Sequence, residues 1–217
     1  QANQKPAVGY REAQIPFAPG HGEGHNSGQA VNIAAALVVK QIMEREKIPG
    51  TLVLWPGVAE EQLGTQAHLV RAGVFKDVDA TIFTHVDNSL GVGWGTHGGK
   101  ALISAELRFR GPTAHSAGGP WRGKSALDAV MLMAQAWEFK REHLELPQRS
   151  HYVIPDGSDQ PNVVPQTASI WFYFRQLDYE RTMAMFEAAR KMAEGAALMT
   201  DTKVDTVMIL GSAMDQH

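Results

Sequence analysis

The second half of the chain switches repeatedly between two hydrophobic periods, and the order of the switches leaves few folds open. "KALISAELRFRG" alternates apolar and polar residues, as a strand exposed on one face does. "SALDAVMLMAQAWEFKREHL" then takes helical spacing behind Ser125, an N-cap candidate. "RSHYVIPDG" and "TASIWFYFRQ" return to strand, "DYERTMAMFEAARKMAEGAALM" to helix behind the cap candidate Asp178, and "KVDTVMILGSAM" to strand. Strand, helix, strand, strand, helix, strand is the order of a ferredoxin-like sandwich, an antiparallel sheet with both helices on one face. The expected boundaries of this unit are residues 98–217.

The first half, residues 1–97, follows a different grammar. "NSGQAVNIAAALVVKQIMEREK" spaces Val31, Ala34, Ala35, Val38 and Ile42 as a helix would, with Asn26 or Ser27 as N-cap and Pro49-Gly50 as its stop. "TLVLW" (51–55) and "DATIFTH" (79–85) are short apolar runs of strand length, separated by a predicted helix from Thr65 to Ala72 that Gly73 stops. Continuous apolar strands alternating with helices suit a parallel or mixed sheet covered on both faces. The chain is thus α/β, part of such a sheet domain followed by the ferredoxin-like unit. The Gly-rich "LGVGWGTHGGK" (90–100) separates the two.

The strand ends of the first half carry the ionisable groups. "GHGEGHNSG" sets His21, Glu23 and His25 at every second position, so that in an extended loop they point the same way. "TLVLW" leads to Glu60 and Glu61, and "DATIFT" leads to His85. Functional groups collect beyond the carboxyl ends of strands in open α/β sheets, so these six can meet at one sheet edge. Imidazole and carboxylate are ligands for borderline divalent metals. Two adjacent glutamates at a strand end allow one to bind metal while the other moves protons. A polar Gly-rich turn and a solvated helix start are the plainer alternatives for each motif alone. The chain has no cysteine, so neither disulfides nor thiolate metal sites are available to it.

Taken together, "GHGEGHNSG", "PGVAEEQLG", "VRAGVFKDVDATIFTH", "GPTAHSAGGPWRGKSALDAV" and "PNVVPQTASIWFYFR" resemble, in order and over nearly the whole chain, the M20 metallopeptidases and their amidohydrolase branch. The resemblance implies a catalytic domain holding two divalent metal ions, zinc or manganese, interrupted by a ferredoxin-like lid that also forms a homodimer. It implies Glu23, His25, Glu61 and His85 as metal ligands, Glu60 as general base, and His21 behind the ligands. In the lid it implies His115 as the group that polarises the scissile carbonyl in a neighbouring active site, with Asn162 and Arg175 near the substrate. Where the family has a cysteine this chain has Glu23, a harder ligand that tilts the site toward manganese. The family's last histidine ligand and its Asp-Ala-Leu-Pro segment have no match, so the chain reads as the middle of a longer protein.

The expected reaction is metal-dependent cleavage of an amide in a small-molecule substrate. This is an N-acyl or aminobenzoyl amino acid, with aminobenzoyl-glutamate as first expectation, or a small dipeptide. The alternative is a non-catalytic dimerisation or binding module derived from the same fold. A net charge of −3 argues against nucleic acid. No apolar run reaches the roughly 18 residues that span a bilayer, so no membrane partner is expected, and the expected location is cytoplasmic.

Overall fold

A computed structural model describes residues 13–18, 24–57, 60, 64–93 and 100–212. The chain divides into two compact units, residues 1–60 with 68–92 and residues 61–67 with 93–217.

The second unit contains β1 (Ala101–Arg110), a single 3-10 turn (Pro120–Arg122), α3 (Ala126–Arg141), β2 (Arg149–Asp156), β3 (Thr167–Gln176), α4 (Tyr179–Thr200) and β4 (Lys203–Ser212). Its four strands form one antiparallel sheet in the order β2-β3-β1-β4, the ferredoxin-like order expected from the sequence. Alternation sends Ala101, Ile103, Ala105, Leu107 and Phe109 of β1 to the core face, where all are buried. Ala168, Ile170, Phe172 and Phe174 of β3 join them. The two helices meet this face with different residues. Helix α3 buries Ala126, Ala129, Val130, Met133 and Trp137, and α4 buries Ala189, Ala193, Ala196 and Ala197, whose small side chains let it lie close. The Trp137 ring stands edge-on to Phe172 at 5.6 Å and Phe174 at 5.2 Å. Its Nε1–H donates to Ser150 Oγ at 2.9 Å, so the largest core side chain leaves no polar atom orphaned. Both helix starts behave as the sequence suggests: the Ser125 hydroxyl accepts from Asp128 N–H at 3.1 Å, and the Asp178 carboxylate accepts from Arg181 N–H at 2.8 Å.

The first unit contains α1 (His25–Glu46) and most of α2 (Thr65–Arg71). Helix α1 starts earlier than Asn26 or Ser27 would set it, with Gly24 as its N-cap. A Cβ on Gly24 would come within 2.6 Å of a Val86 methyl, so a larger residue at this cap would require Val86 to shift. The Ser27 hydroxyl donates to Gly24 C=O at 2.7 Å and caps no N–H. Lys47, left-handed at φ 55, ends the helix before Pro49 is reached. The runs 51–55 and 79–85, expected as strands, join no ladder among the described residues. An apolar run favours a strand, but a ladder also needs partner strands, and the described residues supply none. Within this unit Thr84 Oγ1–H donates to Asn32 Oδ1 at 3.0 Å, and the Trp55 and Phe75 rings meet edge-on at 5.2 Å. The stripe of Val31, Ala34, Ala35, Val38 and Ile42 faces solvent, and the less exposed face of α1 is that of Asn32, Ala36 and Met43.

Candidate functional site

In the first unit the fold brings together two of the predicted ligands. His25 is the first residue of α1, and His85 ends the apolar run 79–85. Their ring centroids lie 5.8 Å apart at 74°. His85 Nδ1–H donates to Val86 C=O at 2.7 Å. A carbonyl only accepts, so this hydrogen bond needs a proton on Nδ1, and in the neutral ring the lone pair is then on Nε2, the atom through which an imidazole can bind metal. An open cleft beside the pair is lined by Ser27, Val31, Thr84, His85, Asp87 and Leu90. Asp87, two residues beyond His85, is not among the residues expected from the sequence; the spacing in "HVD" is the signal that could have found it. Its Oδ1 accepts from Asn88 N–H at 2.6 Å. Glu60 is helical and exposed. His21, Glu23 and Glu61 lie outside the described residues. Among the described residues no three His, Asp or Glu gather as a ligand set. The donor chemistry of His25 and His85 fits a borderline divalent ion as two ligands of a larger set.

In the second unit, the loop after β1 and the loop before β3 run antiparallel. Val164 N–H donates to Ala114 C=O and Ser116 N–H to Asn162 C=O, both at 2.9 Å, and His115 bridges Val163. This sets His115 beside Asn162 at one end of the sheet. Arg175 lies at the other end, because β3 pairs with β1 from Thr167↔Arg110 to Gln176↔Ala101 and Arg175 faces Leu102. Arg175 lies eight residue steps along the strand from Thr167, about 27 Å at the usual rise. The family resemblance puts Asn162 and Arg175 together near the substrate; within one chain the sheet holds them apart.

The sheet face away from the helices carries Trp171, Tyr173 and Arg175 of β3. Trp171 Nε1–H donates to Ser104 Oγ at 2.8 Å, and the Arg175 guanidinium sits 5.7 Å over the Tyr173 ring. His151 pairs across from Tyr173. Its imidazole is held below the ordinary histidine range by partial burial and then by the charges of Arg175, Arg141, Arg149 and Lys100. The Arg175 end of the sheet is therefore a positive field suited to an anion.

Residues 97–199 match the M20 family of peptidase dimerisation domains. The chain is 38% identical over 191 residues to one of the subunits of p-aminobenzoyl-glutamate hydrolase from Escherichia coli, covering 88% of this chain and 39% of that protein. It is 28% identical over 209 residues to the Xaa-Arg dipeptidase of Mus musculus, covering 92% of this chain and 48% of that protein. A solved hydantoinase/carbamoylase family amidase from Burkholderia ambifaria shares the fold over 54% of this chain and 29% of its own, with a TM-score of 0.50 and 20% identity. The chain thus spans less than half the length of these relatives. Among the described residues, no helix is long and apolar enough to cross a membrane.

Proposed function

Since residues 97–199 are a peptidase dimerisation domain of the M20 family, we propose that the chain is part of a metal-dependent amidohydrolase that works as a homodimer. The observation that carries this reading is the meeting of His25 and His85, 60 positions apart in the sequence, ring to ring in the unit that precedes the dimerisation domain. His25 and His85, together with Glu23 and Glu61, would hold two divalent ions, zinc or manganese, with His21 behind them. When bound, such ions supply Lewis-acid polarisation of the amide carbonyl and activation of water. Glu60 removes a proton from the attacking water and returns it to the leaving amine. His115 donates a hydrogen bond to the oxygen that gains charge as the carbonyl carbon becomes tetrahedral.

The roughly 27 Å between the two ends of β3 bears on which chain supplies which group. His115 and Asn162 cannot share one small substrate with Arg175 of the same lid. If all three act on one substrate, His115 and Asn162 come from one chain and Arg175 from the other. The outer side of α3 supports such pairing: Met131 and Phe139 are 60% and 68% exposed, while Met133 and Trp137 on the inner side are buried. Arg175, in its positive field, suits the substrate's carboxylate. The substrate class is an N-acyl or aminobenzoyl amino acid, aminobenzoyl-glutamate first, with a small dipeptide next.

The test is release of amine from aminobenzoyl-glutamate and from an Xaa-Arg dipeptide by the full-length protein, before and after chelation and metal return. Loss on chelation with recovery on zinc or manganese is expected. Turnover unchanged by chelation would overturn the metal assignment. Mixing His115→Ala with Glu60→Gln protomers tests the shared site. Each homodimer is expected to be nearly inactive, and the mixed dimer to regain one working site. No recovery in a confirmed heterodimer returns His115 to its own chain.

A further inference from the structure

His115 opens a single tight turn, closed by Gly119 N–H donating to His115 C=O at 3.0 Å. Within the turn two backbone N–H groups aim at one ring nitrogen. Ala117 N–H reaches His115 Nδ1 at 3.2 Å and Gly118 N–H reaches it at 3.0 Å. A backbone N–H donates and never accepts, so Nδ1 must present its lone pair to both, and the proton of the neutral ring sits on Nε2. The ring occupies the place an Asp or Asn side chain takes in an Asx turn. The arrangement is the reverse of that at His85, where a carbonyl holds the proton on Nδ1.

We propose that the N–H groups of Ala117 and Gly118 are positioning groups for His115, fixing it as the Nε2–H tautomer so that it serves as a hydrogen-bond donor and not as a metal ligand or base through Nε2. The sequence gives the turn the means to do this. Both donors are non-proline residues, and a Cβ at Gly118 would stand in ordinary van der Waals contact 3.5 Å from Nδ1, so the turn does not depend on glycine there. Two donors on one acceptor also fix the ring plane, so the Nε2–H vector is set by the turn and not by the substrate. The use of that donor in catalysis rests on the hydrolase reading above; the tautomer itself does not.

The test is nitrogen NMR of the full chain labelled with 15N-histidine, the His115 signals being assigned by their loss in His115→Asn. The expected result is one pyridine-like nitrogen, Nδ1, and one pyrrole-like nitrogen, Nε2. A pyrrole-like Nδ1, or two averaged shifts, would overturn the proposal. Ala117→Pro removes one of the two donors, and the shifts are expected to move toward the average. Gly118→Ala keeps both donors, and the shifts are expected to stay. If Ala117→Pro folds and leaves the tautomer unchanged, the backbone is not what fixes it, and the proposal falls. The wild-type spectrum alone decides the matter if that variant does not fold. His115→Asn separates donor from cap: its carbonyl can accept from the same N–H groups, so the unfolding temperature is expected to hold while amide turnover drops. Turnover retained in His115→Asn would reduce the residue to a turn cap. Because the spectra require no turnover, a failed tautomer assignment and a failed hydrolase reading are told apart.

Discussion

Helices α1 and α3 are both apolar on more than one side, yet they end in opposite situations. Helix α3 carries Trp137 and Met133 at 0% exposure, in a core closed by β1, β3 and α4. Helix α1 has no buried residue, and Leu37 on it is 59% exposed. The same contrast holds between the units. Residues 101–207 close a core between one face of the sheet and the two helices, leaving Met131 and Phe139 on the outer side of α3 exposed. Among the described residues of the first unit none is buried, and Ile82 and Phe83 stand 91% and 79% exposed. Among the described residues the closed apolar core lies in the second unit, while the proposed ligands lie in the first.

The widest separation between the two regions is expected in activity. Glu60→Gln in the full-length protein should cut turnover by about a hundred- to ten-thousandfold if it is the only base, with metal content and unfolding unchanged. Glu61→Gln should instead lose metal, so elemental analysis of the pair distinguishes base from ligand. Equal metal loss in both would erase the division.

Packing should show the next largest effect. Trp137→Ala removes a buried ring and one of the two donors to Ser150 Oγ, leaving Arg141, and should cost about 3–5 kcal/mol in denaturant unfolding. Leu37→Ala, on an exposed face, should change the same measurement by less than about 0.5 kcal/mol. Comparable losses would mean that α1 packs against something more than the described residues of this chain.

Caps give a smaller version of the same comparison. Asp178→Ala should cost about 1 kcal/mol, because the carboxylate satisfies Arg181 N–H at the start of α4. Ser27→Ala should cost less, below about 0.5 kcal/mol, because its hydroxyl donates to Gly24 C=O and caps no N–H of α1. Unfolding of the two variants side by side checks the ranking.

The smallest effect is in pH. His151 is depressed from its ordinary 6.5 in the folded state, so the fold prefers it neutral. The unfolded chain then binds the proton first, and stability is full above 6.5 and falls as pH drops through the lower folded value. His151→Gln should flatten that slope in the lid's unfolding temperature between neutral and mildly acid pH. A slope that survives the substitution would assign it to other groups. Glu106, lowered chiefly by the Arg108 guanidinium 2.6 Å away, is the candidate at more acid pH, where its own contribution is lost.

The lid is legible in the sequence because each of its signals is local and agrees with the others. Ser125 and Asp178 sit where helices start, and the alternation in β1 and β3 matches the face each residue takes. The first unit is legible in its helices and not in its strands. Whether "TLVLW" pairs depends on neighbours that its own residues do not encode. The motif residues divide in the same way: His25 and His85 stand out as candidate ligands from their types and spacing, whereas Asp87 is visible only as an acid two residues after a histidine, a pattern common in loops.

What the sequence determined by itself was the element order and helix capping of the second unit, the identity of the ligand-type side chains and the absence of thiolate chemistry, all properties of residue type and short-range spacing. What only the tertiary structure decided was distance between residues far apart in the chain: that His25 meets His85, that Asn162 sits with His115 while Arg175 lies at the far end of the sheet, and that His85 and His115 carry their protons on opposite nitrogens. The physical reason is that strand register and hydrogen-bond donors from the backbone set these relations, and both belong to the folded chain and not to any single residue.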